Sequence, residues 1–395
     1  VLAATVRVTR DLDTAEEAVQ DAYVQALTTW ARDGVPGRPG AWLTTAARNN
    51  ALNVLRRGRT LTAKLPLLVE PEATEIAETP EPDTIPDDRL RLIFTCCHPV
   101  LAPEARIALT LRLVCGVATP DIARAFLVAE PTMAARLTRA KKKIAAARLP
   151  YSVPSAADLP ERVDAVLTVL HLLYTTGHTA RSGEDLVRDE LTGRALDLAR
   201  LLHLLLPDDR ETAGLLALLL VHHARRSTRT DPDGGLLRLD EQDRSRWDTV
   251  SIAEADRLVV AALTAGAPGR FTLQAAIAAL HAQAPSYDET DWPQILELYD
   301  ALLRVWPTPV VALNRAVAVS MVDGPAAALA EVEALERDGR LTGYHYLPAT
   351  KADLLRRLGR DAEAAEAYGE AITRAGNVSE RAFLHGRLES LAEST

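Results

Sequence analysis

Leu12, Ala15, Val19, Ala22, Ala26 and Trp30 recur at three- and four-residue steps, with Tyr23 beside Ala22. That spacing predicts a helix over 12–30 with these residues inward. Glu16, Glu17, Gln20, Asp21 and Gln25 fall largely on the opposite side. Residues 31–40 carry Gly34, Pro36, Gly37, Pro39 and Gly40, which predicts a loop. Helical spacing resumes over 42–57, with Leu43, Ala47, Ala51 (or Asn50) and Val54 inward. Arg48, Asn49, Asn53, Arg56 and Arg57 are left mostly outside. Residues 65–88 hold five prolines and eight acids and read as an extended linker without packed structure.

A compact helical unit is predicted over 90–149. One helix covers 105–114. Thr119 then caps a short helix that has Pro120 at its first position and ends near Phe126 or Leu127. Pro131 opens a last helix running past Ile144. Met133, Leu137, Ala140 and Ile144 form its inner stripe, and Thr132, Arg136, Arg139 and Lys143 face out. Two short helices around a tight turn are the helix-turn-helix pattern.

From Leu159 helix follows helix, broken by a strong turn at Asp231-Pro232-Asp233-Gly234-Gly235 and by an aperiodic stretch over 236–247. A repeat emerges further on. Ile295, Tyr299, Leu302 and Pro307 match the second-helix spacing of a tetratricopeptide repeat, and Ala328, Val332 and Leu335 match it again. Ala352, Leu355, Gly359, Ala364, Tyr368 and Ala371 match nearly a whole repeat, and residues 378–391 then read as a capping helix. The fold class expected is therefore all-α. Its parts are a helical domain at 1–64, a linker at 65–88, a helix-turn-helix domain at 89–150, a helical platform at 151–290, and repeats with a cap at 291–395.

Composition sharpens this picture. The chain has 395 residues, 48% hydrophobic but only 4% aromatic, so its cores must be built from Leu, Val and Ala. Its apolar runs fall well short of the ~20 residues of a membrane span. Three cysteines fit a reducing cytoplasm. No signal-peptide pattern opens the chain, and a start at Val1 implies missing N-terminal residues. The net charge of −9 is unevenly spread. Residues 1–150 hold 20 Lys and Arg against 17 Asp and Glu, a net of +3; the remainder holds 25 against 37, a net of −12. Residues 48–64 carry five bases and no acid, and residues 131–150 six bases and no acid. Two basic patches separated by an acidic tether suit nucleic-acid contact at two places.

These segments resemble a known family. The run from Asp13 to Tyr23 (Asp-Thr-Ala-Glu-Glu-Ala-Val-Gln-Asp-Ala-Tyr) is similar to the polymerase-binding helix of extracytoplasmic-function sigma factors. Trp42-Leu43-Thr44-Thr45-Ala46-Ala47-Arg48-Asn49 through Leu55-Arg56-Arg57 resembles the promoter-melting helix that follows it. Leu109-Thr110-Leu111-Arg112, Gly116, Asp121-Ile122-Ala123 and Thr132 through Lys141 resemble the family's C-terminal DNA-binding domain. All three pieces occur in order across about residues 1–148. The long extension with tetratricopeptide-like repeats resembles one subgroup. The chain departs from the family at its start, where most of a further helix before Asp11 is absent.

The resemblance implies a promoter-specific initiation factor without chemistry of its own. Glu16, Glu17, Gln20 and Asp21 would bind core RNA polymerase. Arg38, Arg48, Asn49, Asn53, Arg56 and Arg57 would serve the minus-ten element, with the 31–40 loop capturing a flipped base. Thr132, Arg136, Arg139, Lys142 and Lys143 would serve the minus-thirty-five element. Arginine can pair bidentately with guanine, whereas Lys141–Lys143 can only hold phosphate. Core polymerase, double-stranded and melted promoter DNA, and a protein or peptide in the repeat groove are the expected partners; no cofactor and no membrane are expected.

Other readings compete. An acidic helix face is ordinarily just solvated, and a lysine run suits any helix C-terminus. Trp30 and Trp42 read as core anchors before stacking platforms. Cys96-Cys97-His98 lacks zinc-ligand spacing, with Cys115 the one other thiol, and reads as buried small residues. His171, His178, His222 and His223 have no carboxylate at ligand or triad spacing, and no catalytic motif is present. Gln242–Trp247 is either a solvated loop anchored by Trp247 or a polar network docking the extension on the first domains. The rival function is a helical-repeat interaction protein or anti-activator that uses the helix-turn-helix as scaffold.

Overall fold

The computed structural model describes residues 1–64, 88–126, 128–147, 149, 151–152, 154–155, 157–178, 185–231, 236–376 and 378–393. The acidic linker expected over 65–88 lies outside the described residues apart from Asp88, as do positions 232–235 of the expected turn. Among the described residues there is no strand; one isolated antiparallel bridge joins Thr230 and Leu236. The chain forms two compact units, Val1–Leu173 and Tyr174–Thr395.

The first unit starts with α1 (Leu2–Thr9), α2 (Leu12–Asp33) and α3 (Pro39–Lys64). Arg10, in the left-handed region at φ 53°, ends α1, and Asp11 caps α2 by accepting the Thr14 amide at 2.7 Å. The helices outrun the loop expected over 31–40, which shrinks to Gly34–Arg38. Proline is tolerated at a helix start, so Pro39 opens α3 rather than blocking it. Ala22, Ala26, Leu43 and Ala47 make the core between α2 and α3, with Val19, Trp30 and Trp42 against it. These alanines let two helices approach closely, which explains how few aromatics suffice.

The second bundle of this unit holds α4 (Asp88–Cys96), α5 (Pro103–Leu113), α6 (Thr119–Ala125) and α7 (Glu130–Ala146). The expected inner stripe of α7 is buried at Met133, Leu137, Ala140 and Ile144. α4 is buried on every side from Leu90 to Cys96, so its pattern carried no period to read. Cys96 and Cys97 are buried and free, and burial pushes both thiols up, Cys97 to about 11. α8 (Leu159–His178), as far as Leu173, completes the unit with Val163, Val166, Leu167 and Leu170 buried.

The second unit contains α9 (Asp185–Leu205), α10 (Arg210–Ala224), α11 (Thr249–Thr264), α12 (Arg270–Gln283), α13 (Trp292–Val305), α14 (Pro309–Val322), α15 (Pro325–Asp338), α16 (Tyr346–Arg357), α17 (Asp361–Arg374) and α18 (Val378–Glu393). α10 is its centre, buried from Thr212 to Val221 and packed on α9, α11 and α12. Glu211 caps α12 by accepting the Gly269, Phe271 and Thr272 amides at 3.2, 2.8 and 3.2 Å and the Thr272 hydroxyl at 2.6 Å. Beside this cap the helices nearly touch: a Cβ on Gly214 would lie 2.6 Å from the Thr272 nitrogen. Gly214→Ala is therefore expected to lower stability by about 1–2 kcal/mol, because forced overpacking of ~1–3 kcal/mol outweighs the helix-propensity gain. Thermal melting checks this; an unchanged or raised Tm contradicts it.

From α12 onward consecutive helices pack as neighbours, and α14 also touches α16. Of the residues picked out by spacing, Ile295, Leu302, Ala328, Val332, Ala352, Leu355, Ala364, Tyr368 and Ala371 are buried, Tyr299 and Leu335 are half-buried, and Pro307 is exposed. Gly359 supplies the left-handed turn (φ 70°) between α16 and α17. The aperiodic stretch before α11 is held by Trp247, whose Nε1 donates to the Thr228 hydroxyl at 2.9 Å. Arg244 donates to the His281 and Ala284 carbonyls at 2.6 and 2.7 Å and stacks on Trp247. Trp247 thus anchors the segment, and Arg244 is committed to the C-terminal end of α12 in its own unit.

Candidate polymerase and promoter interfaces

α2 buries Leu12, Ala15, Ala18, Ala22 and Ala26. Its buried face is turned from the expected one: Ala18 takes the central place and Tyr23 is 52% exposed. Small residues sit at the α2–α3 contact, so the bulkier Val19 moves to its edge and Tyr23 out of it. Glu17, Gln20 and Asp21 are exposed as expected. Val24 and Leu27 share that surface at 62% and 75% exposed. The outer face of α2 is therefore an apolar stripe, Tyr23–Val24–Leu27, bordered by acids. Reading the helix as two opposed faces missed it; the signal was three apolar residues out of phase with the alanines.

Glu16 is half-buried and already engaged. Its carboxylate is 2.9 Å from the Lys141 ammonium and 3.3 Å from the Arg112 guanidinium. Lys141 also pairs with Asp13. Burial alone would lower the Lys141 pKa, but the two carboxylates outweigh it and hold it above its ordinary value. Lys141 faces protein here rather than solvent.

On α3, Arg48, Asn49, Asn53, Arg56 and Arg57 are exposed, and so is Arg38 in the preceding loop. Asn50 instead turns in, donating to the Ala18 carbonyl at 3.3 Å and accepting from Gln25 at 3.2 Å. Val54, expected inward, is 38% exposed, whereas Ala51 is fully buried. Trp30 and Trp42 meet edge to face with centroids 5.5 Å apart, half-buried in the α2–α3 core at the two ends of the loop. They act as anchors of the loop.

On α7, Thr132, Arg139, Lys142 and Lys143 are exposed. Arg136 is half-buried, its guanidinium 5.7 Å from the centre of the Phe126 ring at the end of the preceding helix. That cation–π contact holds the arginine in place without consuming its donors. Beyond Glu130 in its first turn, the charged residues of α7 are all cations. Among the described residues no group of His, Cys, Asp and Glu could hold a metal ion, and no helix is long and apolar enough to cross a membrane.

Comparison with known proteins assigns these bundles. Residues 1–60 match the model of sigma-70 region 2, and residues 91–144 that of sigma-70 region 4. Residues 162–263 match a family of unknown function. An uncharacterised protein of Rhizobium meliloti is 44% identical over 395 residues, covering 99% of this chain and 93% of that protein. No solved structure matches the chain.

Proposed function

The chain belongs to the sigma factors of extracytoplasmic-function type that carry a C-terminal extension, and from that premise we propose which surfaces perform promoter recognition. It is a non-enzymatic, promoter-recognising initiation factor, with core RNA polymerase and promoter DNA as its partners. In our reading α2 docks on polymerase through Glu17, Gln20 and Asp21 around Tyr23, Val24 and Leu27. Glu16 joins this contact once released from Lys141. The Gly34–Arg38 loop and the exposed face of α3, with Arg38, Arg48, Asn49, Asn53, Arg56 and Arg57, hold the melted minus-ten element. α7 enters the major groove of the minus-thirty-five element with Thr132, Arg136 and Arg139, while Lys142 and Lys143 hold phosphate. This assigns residues 1–64 to minus-ten and polymerase binding, 65–88 to a tether and 89–150 to minus-thirty-five binding. Residues 151–290 form a platform, and 291–395 form tetratricopeptide-like repeats whose groove takes a protein or peptide. The cytoplasm is the compartment that this activity requires.

The observation that supports the reading best is the order of the two region matches combined with exposed cations on each DNA-facing helix, α3 without an acid and α7 with Glu130 alone in its first turn. A scaffold would not need Arg48, Arg56 and Arg57 in water on α3. Run-off transcription with core polymerase and the promoter upstream of the gene tests it: dependence on this factor is expected, and its absence rejects the reading. Arg136→Ala is expected to weaken promoter binding by ~1–3 kcal/mol and relax preference at one base. Lys142→Ala should weaken all sequences alike and lower the salt slope by about one unit. Identical salt slopes and sequence preferences for the two variants contradict the division of labour. Deleting residues 291–395 tests the extension. We take it as integral to the factor, so transcription should fall; a hyperactive truncation would make it inhibitory, and unchanged activity and stability would leave it no role in either.

A further inference from the structure

Within the second unit, the segment that leaves α10 lies against the last repeats. Thr230 pairs with Leu236, and the Leu237 amide donates to the Arg229 carbonyl at 2.9 Å. Leu236 and Leu237 then face Ala349 of α16 and Phe383 and Leu384 of α18 across a cavity of about 200 Å³. Protein interiors rarely leave apolar voids larger than a water molecule. Here the small side chain of Ala349 leaves room that a Leu would fill. An apolar cavity of ~150 Å³ takes up benzene in preference to water, so this one suits a guest of about ten non-hydrogen atoms.

One wall of the cavity is polar. The Glu380 carboxylate, with a side chain only 13% exposed, accepts the Tyr346 hydroxyl at 2.9 Å. The His345 Nε2 stands 3.3 Å from its other oxygen without hydrogen-bond geometry. The His345 and Tyr346 rings lie 4.1 Å apart, centre to centre, and make an aromatic wall beside the carboxylate. Burial, followed by the Glu380 charge, pushes the Tyr344 phenol above its ordinary value, so that charge is felt around the cavity. A carboxylate has about four acceptor positions and can take a further donor beside such partners. Arg229 and Arg238 also line the cavity, but Arg238 is paired with Asp240 at 2.7 Å and Glu241 at 3.2 Å. Two arginines thus stand against three acids, within a stretch, 151–395, whose net charge is −12. Such a field draws in cations rather than anions.

We propose that this cavity is a binding site for a small apolar amine, with its ring or branched chain between Leu236, Leu237, Ala349 and Phe383 and its ammonium on Glu380 beside the Tyr346 ring. Aromatic faces next to a carboxylate are the surroundings that an ammonium favours. The guest touches the segment after α10 and two helices of the repeat array at once, so its binding ties these parts together and stabilises the second unit. The extension thereby becomes responsive to a metabolite-sized cation. This goes beyond promoter recognition, and nothing in it depends on the polymerase or DNA assignments.

Isothermal titration calorimetry on the full chain tests the site. The probe is phenethylamine, with 2-phenylethanol and 3-phenylpropionate as its neutral and anionic counterparts. The parent is expected to bind the amine roughly 10-fold or more tightly than either counterpart. At a hundred times its Kd the amine should raise the Tm of the second unit by about 5–10 °C. Glu380→Gln keeps the shape of the side chain and removes its charge; it should weaken the amine roughly 10-fold and erase its advantage over 2-phenylethanol. Ala349→Leu fills the cavity from another helix and should abolish amine binding. Because the two variants alter different helices, one remains informative where the other fails to fold, which the Tm without probe reports. No amine binding by the parent at millimolar concentration, an alcohol or acid bound as tightly as the amine, or unchanged amine affinity in either folded variant would overturn the proposal. No polymerase or DNA enters the measurement, so its outcome is separate from that of the promoter reading.

Discussion

Reversing Glu17 and Asp21 to lysine is expected to lower the affinity for core polymerase at least 100-fold while leaving the protein folded. Both side chains are exposed on α2, and among the described residues neither takes part in an ion pair. Nothing inside the protein is lost, so far-UV circular dichroism and Tm should stay near the parent's. Two charges change sign, a net shift of four units, on a surface assigned to a basic partner, and like charges juxtaposed at an interface cost several kcal/mol. Val24→Asp, in the apolar stripe beside them, should act in the same direction without reversing charge. Glu16→Lys is a poorer probe, because it also places a third cation against Lys141 and Arg112. Core-binding assays at two salt concentrations read the effect; binding that survives the double reversal would remove α2 from the polymerase interface.

The helices of the first unit were legible wherever a stripe of one residue class kept helical period. α7 is the clearest case, since Met133, Leu137, Ala140 and Ile144 differ sharply from the lysines and arginines between them. α2 was legible as a helix but not as a surface. Ala18 and Val19 are neighbours, and hydrophobicity alone ranks the valine inside; close helix packing against α3 prefers the alanine. Along α3, too, an alanine (Ala51) is buried and a valine (Val54) is left out. Proline and glycine over 31–40 announced a break but not its length, because Pro39 serves as a helix start. The unpredicted feature with most consequence is the engagement of Glu16. An ion pair between residues 125 positions apart depends on how two bundles dock, and no local pattern encodes that. In the second unit the buried repeat positions were readable. The meaning of Gln242–Trp247 was not, since the stretch has neither period nor repeat and is ordered by cations stacking on one indole.

That indole should be the most costly single side chain to remove from the second unit. Trp247 is 5% exposed and stands where the segment after α10 turns into α11. The Arg225 and Arg244 guanidinium carbons lie 5.5 and 4.7 Å from its ring centre. Burial, followed by the positive charges of Arg229 and Arg244, pulls the Arg225 pKa down to about 10. Arg225 is thus a cation held at a cost, and the ring face offsets part of it. Trp247→Ala leaves a cavity worth ~3–5 kcal/mol by analogy with other buried aromatics, and strips that face from both arginines. Trp247→Phe keeps a ring under the cations and loses the bond to Thr228, so it should cost only about 1–1.5 kcal/mol. Urea unfolding of the full chain, followed by far-UV circular dichroism, separates the two. A loss below 1 kcal/mol for the alanine variant would show that the arginines hold the segment without the ring. The alanine variant also reports on function. If the extension is integral to initiation, transcription should fail at the temperature where the second unit melts, below the temperature at which the first unit loses its own helices.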